Sequence, residues 1–117
     1  MFNGAHVIIY SRAAQADRDF LRDQLGLANV DAGDGWLIFK LPPAEIAVHP
    51  TDGEPMHEFY FMCNDLEATL EKLTAAGAST SKPVSDEGWG LLAEVSLPSG
   101  STMSLYEPRH PVAYNLP

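Results

Sequence analysis

Cysteine is almost missing from this chain. Cys63 stands alone, so no internal disulfide can form and packing must hold the fold. Its expected role is that of a small apolar residue in a strand. Basic side chains are scarce as well: 7 Lys and Arg against 16 Asp and Glu leave a net charge of −9. Such a surface repels phosphate backbones and anionic lipid, which argues against nucleic acid or a membrane as partner. It also aids solubility and would attract a cationic ligand. No apolar run approaches the roughly 20 residues that span a bilayer. Met1-Phe2-Asn3-Gly4 lacks the basic, then apolar, pattern of a secretion signal, so a cytoplasmic location is expected. Gly33-Asp34-Gly35 and Gly88-Trp89-Gly90 lack the spacing of phosphate-binding loops, and no nucleophilic serine or cysteine–histidine arrangement is evident.

What is present is nearly the same message written twice. His6-Val7-Ile8-Ile9-Tyr10 leads into a helical pattern that closes at Leu25-Gly26, and Glu58-Phe59-Tyr60-Phe61-Met62 leads into one that closes at Ala76-Gly77. The spacing is 20 residues from His6 to Gly26 and 19 from Glu58 to Gly77. Each half continues with a tryptophan strand around Trp36 or Trp89, a turn at Leu41-Pro42-Pro43 or Leu97-Pro98-Ser99-Gly100, and a last strand. Neither half has residues enough to enclose a core, so the two must share one.

The pattern predicts strand one over residues 5–11, with Ser11 capping a helix over 12–25 whose apolar positions are Ala13, Ala16, Phe20, Leu21 and Leu25. Short strands follow near 29–31, 36–40 and 45–49, separated by Gly33-Asp34-Gly35 and Pro42-Pro43. Residues 50–55, with two prolines and a glycine, form the linker between modules 1–50 and 56–117 of one domain. Strand five covers 57–63, Asp65 caps a second helix with the stripe Leu66, Thr69, Leu70, Leu73 and Ala76, and strands near 79–81, 91–97 and 101–107 complete the set. The tail from Pro108 onward is expected to lie along the surface.

This order resembles the vicinal oxygen chelate superfamily, which includes glyoxalase I, fosfomycin-resistance enzymes, extradiol dioxygenases and bleomycin-resistance proteins. The likeness rests on the paired modules, the His6 to Gly26 spacing and the Leu97-Pro98-Ser99-Gly100 turn, and it covers almost the whole chain. It implies an α+β fold in which two βαβββ modules form an eight-stranded curved sheet, a cup with helices outside. It further implies a homodimer, a small-molecule ligand, and a divalent metal ion on the concave face.

Carried over position by position, the resemblance assigns His6 to the first metal-ligand position; the alternative is a core histidine. Strand five offers His57 and Glu58, which point to opposite faces. Phe59, Phe61 and Cys63 suit the helix side, which leaves Glu58, Tyr60 and Met62 for the cup, although a one-residue bulge would select His57 instead. On strand eight, Ser104 stands where the family carries a glutamate, and alternation turns Glu107 away as a solvated strand-end charge. His49 on strand four lies two residues beyond the position matching Ser104 and shares its face; the alternative is a strand-end residue beside Pro50.

Two imidazoles and a carboxylate with open positions suit a divalent ion, so the implied metal set is His6, His49 and Glu58. Catalytic roles then fall to Glu58 and Tyr60, and the substrate pocket to Tyr10, Trp36, Tyr60, Trp89, Ser104 and Tyr106. That set favours a metal-dependent enzyme of glyoxalase or dioxygenase type. The competing class is a metal-independent ligand- or antibiotic-sequestering protein of the bleomycin-resistance type, which Ser104, the net charge and the two tryptophans fit. A structural module with a vestigial cup is the third.

Overall fold

The computed structural model describes residues 6–117, so the N-terminal tetrapeptide and Ala5 lie outside the described residues. Helix α1 spans Ala14–Asp23 and is followed by a short antiparallel hairpin, β1 (Asn29–Asp31) and β2 (Leu37–Phe39). Asp31 organises the turn between them: its carboxylate accepts the N–H groups of Gly33 at 2.7 Å and Gly35 at 3.2 Å. Residues 40–59 form neither helix nor strand.

The second half forms the body of the molecule. Strand β3 (Tyr60–Met62) runs into helix α2 (Leu66–Ala75), which crosses the sheet to β4 (Ser79–Asp86); β5 (Gly90–Ser96) and β6 (Thr102–Pro108) return. The sheet order is β3-β6-β5-β4, with β6 parallel to β3 and antiparallel to β5. Alternation along β5 and β6 sends Ala93, Val95, Met103 and Leu105 to one side, where α2 covers them with Leu66 and Leu73. Phe20 of α1 joins this same cluster.

Helix α2 obeys its sequence signals. The Asp65 side chain accepts the Ala68 N–H at 3.0 Å, and the helix ends at Gly77, whose φ of 104° lets Ala78 N–H reach back to the Leu73 carbonyl. Helix α1 departs from the expectation. It begins at Ala14 rather than Arg12, and Ala13 caps it without a side-chain bond, since the Ser11 hydroxyl accepts the Ala13 N–H ahead of the helix. Strand β4 runs to Asp86, beyond the expected 79–81. Pro83 is tolerated within it because β4 is an edge strand with irregular register, where a missing N–H costs no ladder bond.

The described residues contain six strands rather than eight. The segments 6–11 and 45–49, expected as strands one and four, are not paired with any strand. An extended segment becomes a strand only when a neighbour accepts its backbone groups. Here the Tyr10 carbonyl accepts the Ser101 hydroxyl at 3.3 Å.

Candidate functional site

The sheet face turned away from α2 carries polar and aromatic side chains in register. Tyr60, Ser104, Glu94 and Lys82 stand side by side across β3, β6, β5 and β4, and Met62, Tyr106, Leu92 and Ser85 form the next row. Alternation fixes this face: Phe61 and Cys63 pack into the core, which leaves Tyr60 and Met62 opposite.

Above these rows the rings form a continuous edge-on series. Tyr60 meets Tyr106 at 5.9 Å between centroids, Tyr106 meets Trp89 at 5.6 Å, and Trp89 meets His49 at 6.0 Å. These are favourable edge-to-face separations. The His110 ring also lies against Tyr106, at 5.7 Å. Gly90 makes the arrangement possible, because a β-carbon there would run into the Tyr106 ring and crowd the Glu107 carbonyl at 2.9 Å.

The field over the wall is negative. The Tyr60 hydroxyl donates to Glu58 at 2.5 Å. Burial, then the Glu58 hydrogen bond, then the charges of Glu58, Glu87 and Glu94 push the Tyr60 phenol up to about 12. Tyr106 is raised too, by burial and by Glu45. The nearby cations are engaged: Lys82 lies 3.8 Å from Glu94, and Arg109 bonds Asp86 at 2.8 Å.

The structure brings together some of the sequence-selected residues and scatters others. Tyr60, Ser104, Tyr106 and Trp89 share the wall, with His49 at its end and Glu58 at its rim. Tyr10 is 87% exposed and borders a separate open groove of about 500 Å³ with Ser11, Arg12, Ser99, Gly100 and Ser101. Trp36 lies under the Arg18 guanidinium, 4.7 Å from its ring centroid, on the α1 side. His6 and His57 are exposed. Among the described residues no three His, Cys, Asp or Glu side chains converge to hold a metal ion, so His6, His49 and Glu58 do not fit a divalent ion in this arrangement. The reason is topological, since the segments bearing the two histidines are unpaired.

Glu107 is not the solvated strand-end charge expected. The alternation that turns it from Ser104 brings it to α2, where its carboxylate accepts the Leu66 N–H at 2.9 Å. Sequence reasoning missed three contributors to the wall. Glu94 was signalled by alternation along β5, which sets Glu94 and Ser96 opposite Ala93 and Val95. Glu45 and His110 carry no local signal, because they reach the site through irregular chain.

The family model for the glyoxalase/bleomycin resistance protein/dioxygenase superfamily matches residues 5–108. Similar solved structures include TnmS3, an antibiotic binding protein from Streptomyces sp. CB03234, at 20% identity over 92% of this chain and 99% of that one, with a TM-score of 0.62. A lactoylglutathione lyase from Agrobacterium tumefaciens is similar at 16% identity over 90% of this chain and 92% of the other, with a TM-score of 0.65. UcmS2 is similar at 17% identity, over 91% and 98% of the two chains, with a TM-score of 0.63. At these identities the likeness is one of fold. No curated protein sequence matches the chain.

Proposed function

The chain belongs to the glyoxalase/bleomycin resistance protein/dioxygenase superfamily, and from that premise we propose that it sequesters a small aromatic molecule on the wall of Tyr60, Tyr106 and Trp89. One fold hosts both an antibiotic binding protein and a lactoylglutathione lyase, so the site must decide between the classes. The observation that carries the reading is the ring series from Tyr60 through Tyr106 to Trp89, with Ser104 rather than a carboxylate at its base. Rings in this order offer edges and faces to a flat ligand. The carboxylates of Glu45, Glu58, Glu87 and Glu94 around the two phenols favour one that carries positive charge.

The proposal includes a homodimer whose second copy covers the wall, acting in the cytoplasm. No helix among the described residues is long and apolar enough to cross a membrane. The metal-dependent reading would require His6 and His49 to move to Glu58.

Fluorescence titration with the planar cation 9-aminoacridine and with uncharged acridine tests the proposal. Saturable binding is expected, unaffected by EDTA and weakened at least about tenfold by Tyr106→Ala, the loss of one stacking ring. Failure of both dyes to saturate the wild-type protein would remove the proposal. Stoichiometric divalent metal that is lost in His49→Ala would favour the enzyme instead.

A further inference from the structure

The chain's own C-terminal segment also reaches the wall. Past β6, the Arg109 N–H donates to the Trp89 carbonyl at 2.9 Å and the Arg109 guanidinium pairs with Asp86 at 2.8 Å. The chain then turns across the wall. The His110 ring lies 5.7 Å from Tyr106, tilted by 37°, nearer to stacked than the edge-on neighbours at 62° and 73°. Its Nδ1 lies 2.7 Å from the Pro111 carbonyl, which fixes the ring's direction. Three residues on, the Ala113 N–H donates to Glu45 at 3.1 Å, so the tail bridges from the Trp89 turn to the segment that carries His49.

We infer that residues 110–117 are a competing occupant of the wall, with His110 seated against Tyr106 where a ligand ring would stack, so that ligand and tail exclude one another. The inference rests on the reading of the wall as the ligand site. The tail is built to leave. Arg109 holds its base, whereas residues 113–117 are exposed and, among the described residues, are joined to the wall side by the Ala113 bond to Glu45. That anchor keeps His110 at high local concentration after release, so the tail re-docks whenever the ligand departs. His110 is also a flat heteroaromatic base facing a carboxylate-rich wall, and the ligand that displaces it shares that chemistry.

The test compares 9-aminoacridine binding to the full chain, to His110→Ala and to a chain ending at Arg109. Because a docked tail lowers the competent fraction, removing it should tighten binding about three- to tenfold in both variants. Saturating dye should also shift the His110 ring protons of the full chain away from their Tyr106-shielded NMR positions, toward those seen in Tyr106→Ala. Equal affinity in all three forms, with His110 unshifted, would overturn the competition and leave the wall as the ligand site. Absence of binding in every form would overturn both.

Discussion

Tyr60 shows how one side chain reports its surroundings. Its phenol is pushed up to about 12 by burial and by the Glu58 bond, so it keeps its proton where an unfolded tyrosine, at about 10, has lost it. Stability from this group is therefore fully present below about pH 10 and declines as pH rises toward 12. Tyrosinate absorbance should show late titration at the high-pH end, beyond that of the also-raised Tyr106, which disappears in Tyr60→Phe. Asp17 acts differently. It is 5% exposed, and its two carboxylate oxygens accept the Ser99 N–H at 3.1 Å and the Ser99 hydroxyl at 2.7 Å. This clasp ties α1 to the β5–β6 turn, 82 residues away. Asp17→Ala would leave the half-buried Ser99 donors without their carboxylate partner and should cost about 1–3 kcal/mol in urea unfolding. A polar residue on the helical stripe gave no sign of this in the sequence, because its partner lies in the other half.

Among the elements, α2 was the most legible. Its cap, apolar stripe and terminal glycine sit in one continuous stretch, and each signal acts within a few residues. Asp65→Ala should lower stability by about 1 kcal/mol through loss of the cap bond. Glu107→Ala should cost about 1–3 kcal/mol by orphaning the Leu66 N–H, and the two losses should fall short of additive because both caps serve the same helix end. Urea denaturation of the single and double variants measures this. The extent of β4 was less legible, since only its place at the sheet edge makes Pro83 harmless. Strands at 5–11 and 45–49 followed from local composition and the repeat, and the described part of each lacks the partner that would make it a strand.

At the scale of the whole molecule, the first half is looser than the second. Ile46 and Val48 are 93% and 91% exposed, and Ile8 is 61% exposed. The radius of gyration of 15.1 Å exceeds the roughly 13 Å of a compact chain this long. Apolar side chains on unpaired extended segments favour pairing with another copy, which supports the proposed dimer. Sedimentation at micromolar concentration should give a dimer, and Ile46→Glu with Val48→Glu should give a monomer while preserving the second-half core. A wild-type monomer would remove the dimer from the proposed function.

The sequence by itself determined the family, the α2 unit with its sheet, and the side of β3 on which Tyr60 stands, because spacing, capping and period-two alternation act between near neighbours. Only the tertiary structure decided that Trp36 and Tyr10 leave the wall, that His6, His49 and Glu58 do not meet, and that Glu107 caps a helix. It also brought Glu45 and His110 to Tyr106. Each of these depends on where irregular chain travels, and that path is set by long-range packing rather than by any local pattern.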